Sequence, residues 1–112
     1  MKYRLYHKDY EIGIINQLDQ DFPNLFGKYE LNENLEQENT LISQYVEYSV
    51  HASILMETNE EKWQDFMEKG DPKFIDLIES ENWKLIDEKE KTHKILIPNF
   101  CDKKEIVWRW DF

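Results

Sequence analysis

Residues 40–57, TLISQYVEYSVHASILME, decide the fold class, because a helical and a strand-like periodicity compete within them. At helical spacing, one face collects Leu41, Ile42, Tyr45, Ser49, Ala52 and Met56. Alternate positions collect Val46, Tyr48, Val50, Ala52, Ile54 and Met56, as they would in a strand. We favour a helix, because the stretch contains no Gly or Pro and exceeds the usual strand length of about 3–10 residues. Its wide apolar arc suits a helix that packs on both a sheet and a neighbouring helix.

Two more helices are predicted directly after this stretch. Thr58 and Glu61 form a capping box, in which each side chain satisfies a backbone N–H of the other residue, and Gly70 is a typical helix end. Asp71 and Pro72 fit the N-cap and the first position of a further helix. The predicted buried stripes are Trp63, Phe66 and Met67 in the first of these helices and Phe74, Leu77 and Ile78 in the second.

The segments on both sides of the helical region alternate with the period of two that is typical of strands. Predicted strands cover residues 2–7, 10–17, 28–31, 83–87, 93–100 and 105–112, with a turn at residues 21–24. The last strand would place Ile106, Trp108, Trp110 and Phe112 on one covered face. The order βββ–ααα–βββ predicts an α+β fold, in which helices pack on one face of an antiparallel sheet and residues 1–112 form a single domain.

The net charge of −10 is concentrated in the middle of the chain. Residues 32–82 carry thirteen acidic and three basic side chains, which accounts for the whole net charge. Such a negative field repels phosphate backbones and anionic membrane surfaces. We therefore expect no nucleic-acid or membrane binding, and we expect a basic protein as the partner.

Five acidic residues are the candidate partner-binding residues: Glu57, Glu60, Glu61, Asp65 and Glu68. On a helix, Glu61, Asp65 and Glu68 share the face opposite the apolar stripe, where like charges oppose helix formation slightly. Three interpretations of this acidic face stay open. It is a solubilising surface, a docking surface for a basic protein, or a mimic of a nucleic-acid phosphate track.

The residue types that usually carry catalysis and metal binding are scattered in this sequence. His7, His51 and His93 lie far apart, and the pair Glu47 and His51 offers two groups where zinc normally needs three or four protein ligands. Cys101 is the only cysteine, so it has neither a disulfide partner within the chain nor a CxxC partner. Three glycines leave no room for a phosphate-binding loop. We predict no catalytic residue, cofactor or metal.

Two fragments carry a resemblance to a known group of proteins. The turn Asp21-Phe22-Pro23 followed by Gly27, together with the aromatic strand around Trp108, resembles small uncharacterised bacterial proteins with a D-F-P-x-x-x-G turn. This resemblance implies a bacterial source and a similar fold, and it implies no activity.

Small size, acidity and the absence of catalytic motifs favour a non-enzymatic interaction protein of the inhibitor or immunity type, which binds a basic partner. The alternative is a small-molecule-binding protein or enzyme, with a pocket between sheet and helices lined by Tyr and Trp and with His51 or His93 as the acid/base group. The N-terminal residues contain no long apolar run of the kind found in signal peptides, so we expect a cytoplasmic protein.

Overall fold

The computed structural model describes residues 1–111, and within them strands and helices segregate as the sequence predicts. Seven strands form one antiparallel sheet in this part of the chain, in the order β5-β4-β1-β2-β3-β7-β6. Their bounds are β1 Lys2–His7, β2 Tyr10–Asp21, β3 Asn24–Leu31, β4 Trp83–Asp87, β5 Thr92–Lys94, β6 Asn99–Phe100 and β7 Glu105–Trp108. The predicted α+β class and the order of strands, helices and strands are confirmed.

The helices lie between β3 and β4. They are α1 Leu35–Glu38, α2 Thr40–Thr58, α3 Glu60–Gly70 and, after a 3-10 turn at Asp71–Phe74, α4 Ile75–Ile78. The single helical turn α1 was not predicted. No helix within residues 1–111 combines the length and the apolarity that crossing a lipid bilayer requires.

Helix α2 resolves the ambiguity in residues 40–57 in favour of the helical period. Its buried residues are Ile42, Tyr45, Val46, Ser49 and Ala52, which follow helical spacing. The Tyr45 ring packs against the rings of Trp83 and Phe100, with centroids 6.2 and 6.1 Å away. Helix α2 therefore covers the sheet directly, and the strand alternative for this stretch is wrong.

The start of α3 differs by one residue from the predicted capping box. Asn59 is the N-cap, and its side-chain oxygen accepts a hydrogen bond from the backbone N–H of Lys62 at 3.1 Å. The Thr58 hydroxyl instead donates to the Ile54 carbonyl in the last turn of α2. Asn caps a helix at least as well as Thr does, and the predicted capping box is wrong by one residue.

The N-cap predicted at Asp71 is also wrong. The backbone of Asp71 is already helical, because the chain runs from α3 into the 3-10 turn without an extended residue. The Asp71 carboxylate makes no capping bond and accepts a hydrogen bond from the Tyr48 hydroxyl at 2.6 Å instead. A residue that looked like a local cap thus joins the 3-10 turn to α2.

Asn59→Ala should lower the free energy of unfolding by about 1 kcal/mol, because the first turn of α3 loses its side-chain cap. Thr58→Ala should change it by less than about 0.5 kcal/mol, as is usual for an exposed side chain outside a cap. Urea denaturation of the two variants measures the difference. A larger loss for Thr58→Ala would restore the capping box as the start of α3.

The hairpin of β2 and β3 is longer than predicted. Strand β2 continues to Asp21, beyond the predicted end at residue 17, and β3 begins at Asn24, four residues before the predicted start at 28. Asp21 pairs with Asn24 across the predicted turn, so the turn itself is confirmed. Gly27, which was expected to precede the third strand, lies inside it opposite Gln17.

The C-terminal strands are shorter than predicted, except for β4, whose bounds agree. The predicted strand at 93–100 divides into β5 and β6, with Pro98 between them, and Ile95 forms an isolated bridge with Trp110. The predicted strand at 105–112 ends at Trp108, and Phe112 lies outside the described residues. Ile106 and Trp108 are buried and Trp110 is half-buried, so the covered face is confirmed for the described residues.

One face of the sheet carries the core and the helices, as predicted. Alternate residues of the strands point into this core: Tyr3, Leu5, Ile15, Tyr29, Trp83, Leu85, Phe100, Ile106 and Trp108. The opposite face carries residues such as Arg4, Tyr6, Lys28 and Glu30, which are half-buried or exposed. The helical layer is therefore the part of the fold that positions the candidate site.

Candidate functional site

The five acidic candidate residues run from the end of α2 along α3. We call Glu57, Glu60, Glu61, Asp65 and Glu68 the acidic ridge. Glu57 lies in the last turn of α2, the other four lie on α3, and all five are exposed. Glu60 and Glu61 also stand in the first turn of α3, where the partial positive charge of the helix N-terminus stabilises carboxylates.

The apolar side of α3 fixes the direction in which the acidic ridge faces. Trp63, Phe66 and Met67 form the side of α3 that faces the protein, as predicted, but they are half-buried and no residue of α3 is fully buried. The Phe66 ring stacks on Tyr48 at a centroid distance of 5.0 Å and packs on His51 at 4.6 Å. Helix α3 is therefore held against α2 by aromatic packing, and its acidic residues point away from the protein.

The basic side chains of α3 do not neutralise the acidic ridge. Lys69 forms an exposed salt bridge with Asp65 at 3.0 Å. Among the described residues, no ion pair involves the ridge residues Glu57, Glu60, Glu61 and Glu68. Four of the five ridge carboxylates therefore have no ion-pair partner among the described residues and are available to a basic partner protein.

A pocket of about 400 Å³, here called the α2–α3 pocket, opens beside the acidic ridge. Its walls come from both helices and from the edge of the sheet at β6 and β7. The lining residues are Tyr45, Tyr48, Ser49, Ala52, Ser53, Met56, Trp63, Met67, Asp71, Ile78, Ile97, Asn99, Cys101 and Val107. Ligand sites in proteins usually have volumes of about 300–1,000 Å³ and mainly apolar walls, and this pocket meets both conditions.

Two tyrosines and one carboxylate supply most of the polar chemistry of the α2–α3 pocket. The Tyr45 hydroxyl donates to the Pro98 carbonyl at 2.9 Å, and burial raises the pKa of Tyr45. Burial, and then the hydrogen bond to Asp71, raise the pKa of Tyr48. Both phenols are therefore neutral at physiological pH, and Asp71 carries the charge.

Cys101 lines the same pocket. Burial is the largest cause of the raised pKa of its thiol, followed by the negative charge of Glu105, and Glu57 contributes in the same direction. A thiol held in its protonated form is a poor nucleophile.

The three histidines lie elsewhere, in separate environments. His51 is exposed and lines a different depression, with Phe66 and Lys62. The Nε2 atom of His93 lies 2.9 Å from the Asp87 carboxylate at the turn between β4 and β5. The described residues that line the α2–α3 pocket include no histidine, so neither His51 nor His93 is placed to act as an acid or base in it.

The pair of His7 and Ser80 was missed in the sequence, where the two residues are far apart. The Nε2 atom of the buried His7 lies 2.8 Å from the Ser80 hydroxyl, which also accepts a bond from the Asn82 backbone N–H. Burial, and then the charge of Lys8, lower the pKa of His7, which favours the neutral imidazole. Within residues 1–111 no carboxylate bonds to His7, so the pair lacks the third member of a catalytic triad.

The described part of the chain contains no candidate metal site. No group of three or more His, Cys, Asp or Glu side chains in residues 1–111 is arranged to hold a metal ion. Glu47 and His51, the pair weighed in the sequence, form no hydrogen bond or salt bridge with each other.

Asp87→Asn should destabilise the protein at neutral pH but not in acid. The hydrogen bond from His93, and then the Lys91 backbone N–H, lower the pKa of Asp87 below that of an unfolded chain. Its ionised form therefore stabilises the fold above the unfolded pKa of about 3.9, and this stabilisation disappears as the pH falls through the lower folded pKa. Urea denaturation from pH 7 to pH 2 should show the curves of wild type and variant converging at low pH. A difference that is constant with pH would contradict a role of the Asp87 charge.

Comparison with known proteins gives no relative from which a function could be carried over. No family model matches the sequence, no curated protein is significantly similar to it, and no solved structure has a significantly similar fold.

Proposed function

We propose that the protein is a non-enzymatic binding protein of the inhibitor or immunity type, which docks a basic protein partner on the acidic ridge. The observation that carries this proposal is the group of four exposed carboxylates, without an ion-pair partner among the described residues, that runs from the end of α2 along α3. They stand on helices that pack through aromatic rings, so the backbone positions that carry them are set before a partner arrives. Preorganised charge of this kind speeds association with an oppositely charged surface.

The neighbourhood of the acidic ridge also fits an interface. On α3, residues four apart form rows along the helix, and the row of Glu60 and Glu68 lies next to the row of Trp63 and Met67. On α2, Glu57 follows Met56, whose side chain is 54% exposed. Binding energy in interfaces concentrates on buried aromatic and apolar side chains surrounded by a polar rim. Met56 and Trp63 are suited to the centre of such an interface, and the acidic ridge to its rim.

Affinity capture tests the proposal directly. The wild-type protein is immobilised and exposed to a native lysate of its source cells at low and at high salt. We expect it to retain a basic protein at low salt and to release most of it at high salt, because salt screens exposed charges. If no protein is retained, or if a retained protein is unaffected by salt, the proposal is wrong.

A matched pair of variants separates the acidic ridge from the net charge. The first variant carries Gln or Asn at all five ridge positions. The second carries Gln at five exposed positions elsewhere, namely Glu30, Glu33, Glu36, Glu79 and Glu81. Both variants lose the same amount of negative charge, so only the first should fail to capture the partner. Equal capture by both would mean that the ridge is a solubilising surface.

A further inference from the structure

The α2–α3 pocket has a chemical character that the acidic ridge alone does not explain. Three aromatic side chains line it, those of Tyr45, Tyr48 and Trp63, together with the thioethers of Met56 and Met67. Aromatic faces attract cations through their π electrons, and this attraction strengthens where water is excluded. The Tyr48 ring is stacked on Phe66 and Tyr45 is buried, so Trp63 is the lining ring best placed for such a contact. The walls therefore suit an apolar occupant, and the Trp63 ring also suits a positive charge.

Asp71 supplies the counter-ion for such an occupant. It is the one charged side chain among the described residues that line the pocket. Its carboxylate is half-buried and accepts a hydrogen bond from the Tyr48 hydroxyl, and no salt bridge pairs it with a cation within residues 1–111. A carboxylate can accept several hydrogen bonds, so acceptor positions remain for an ammonium group.

The charge around the pocket has the same sign as the charge within it. Glu57 follows the lining residue Met56. Glu105 is held beside Cys101 by the hydrogen bond from the Cys101 backbone N–H to the Glu105 carbonyl at 2.7 Å, and both Glu57 and Glu105 are acidic residues. An anionic ligand would be repelled by these groups and by Asp71. Asp71 and Cys101 are the only His, Cys, Asp or Glu side chains among the described lining residues, and no group of three such side chains in residues 1–111 could hold a metal ion. An organic cation suits both the apolar walls and the carboxylate.

We propose that the α2–α3 pocket binds a small free organic ammonium ion with an apolar body, its charged nitrogen at Asp71 and its body between Tyr48 and Trp63. This binding function uses a different carboxylate from the acidic ridge and a partly open, mainly apolar volume of about 400 Å³. Met56 and Trp63 belong both to the pocket wall and to the surface proposed for the partner, so the ligand is tested on the wild-type protein without a partner.

Three probes of the same shape and different charge test the proposal on the wild-type protein. They are 4-phenylbutylamine, 4-phenylbutanol and 4-phenylbutyrate, and binding is followed by two-dimensional amide and indole NMR spectra during titration. We expect the amine to bind at least about tenfold more tightly than the alcohol, as a charge-assisted hydrogen bond would give, and to shift the indole signal of Trp63. The acid should bind most weakly. Equal affinities for the three probes, or shifts confined to residues outside the pocket, would overturn the proposal.

A variant pair identifies the counter-ion. Asp71→Asn should remove the preference for the amine over the alcohol, while Asp76→Asn, an exposed carboxylate on α4 that does not line the pocket, should leave it unchanged. The alcohol serves as the folding control, because its affinity should be the same for wild type and Asp71→Asn. An unchanged preference for the amine in a folded Asp71→Asn variant would contradict the role of Asp71.

The bound ammonium group could belong to a free ligand or to a lysine side chain of another protein, since both carry the same charge. One further probe distinguishes these two sources. Nα-acetyl-lysine methylamide carries a lysine side chain with a free ε-ammonium group and has no free α-amine. We expect it to bind at least about tenfold more weakly than 4-phenylbutylamine, because its aliphatic side chain buries less apolar surface against the pocket walls than a phenyl ring does. Tighter binding of the lysine probe would mean that the pocket receives a residue of a partner protein, and the free ligand would be excluded.

Discussion

Trp108→Ala should lower the free energy of unfolding by about 3–5 kcal/mol, the usual range for deleting a buried aromatic side chain. Trp108 is only 1% exposed, and its ring packs edge-on against Tyr3 at a centroid distance of 6.4 Å. A domain of this size is stable by about 5–15 kcal/mol, so the loss can be large enough to unfold it. Guanidinium denaturation followed by circular dichroism measures the change.

The neighbouring residue is the control for this prediction. Arg109 is exposed, and its Nε atom donates to the Asn24 side chain at 2.9 Å, so Arg109→Ala should cost less than about 1 kcal/mol. Trp108→Phe should cost less than Trp108→Ala, because the buried indole N–H has no hydrogen-bond partner among the described residues and its removal leaves no group unsatisfied. Equal losses for Trp108→Ala and Arg109→Ala would mean that β7 faces the other way.

Gly27→Ala should lower the free energy of unfolding by about 3 kcal/mol. A Cβ atom at Gly27 would overlap the carbonyl oxygen of Asn16 in the paired strand β2. That oxygen belongs to the backbone of the central hairpin and cannot turn aside, so the two strands would have to separate. The change is measured by thermal and urea denaturation of the purified variant.

Lys28→Ala provides the comparison for Gly27→Ala. Lys28 is the next residue of β3, exposed on the opposite face, and its salt bridge to Glu105 is long at 3.5 Å. Its removal should change the free energy of unfolding by less than about 1 kcal/mol. If Gly27→Ala were as mild, the register of β2 and β3 would differ from the one described.

The helix α2 and the strands of the core could be predicted from the sequence because their buried and exposed residues recur at regular spacing. In α2, Ile42, Tyr45 and Ser49 are buried at helical spacing, and the polar positions between them face solvent, which gave the helical period. The alternating residues of β1 and β4 gave the strands in the same way. When one face of an element is buried, apolar residues recur in its sequence at a regular spacing, and that spacing was sufficient to predict these elements.

The outer part of the β2–β3 hairpin could not be predicted from periodicity. Residues 18–21 are exposed on both faces of β2, so no apolar alternation marks them as a strand. Only their backbone pairing with β3 extends the strand, for example between Asp19 and Phe26. Backbone hydrogen bonds of this kind can form with almost any side chain, so the residue types do not reveal them.

The candidate site was predicted in part for a related reason. The acidic ridge lies in a short stretch of sequence, so its charge was visible there, and the helical spacing of α3 described its face. The α2–α3 pocket collects residues from Tyr45 to Val107, and its charged group, Asp71, looked like a helix cap. Contacts that depend on tertiary packing are absent from local patterns.

The most direct test of the central claim is the association rate constant of the captured partner with three proteins: wild type, the ridge variant and the variant with five neutralised carboxylates elsewhere. At low salt we predict a rate constant at least about tenfold lower for the ridge variant than for wild type, because the ridge steers the basic partner. The other variant should stay within about threefold of wild type, and at high salt the three should converge as exposed charges are screened. Equal slowing of both variants at low salt would contradict the claim that the acidic ridge, rather than the net charge of the protein, directs binding.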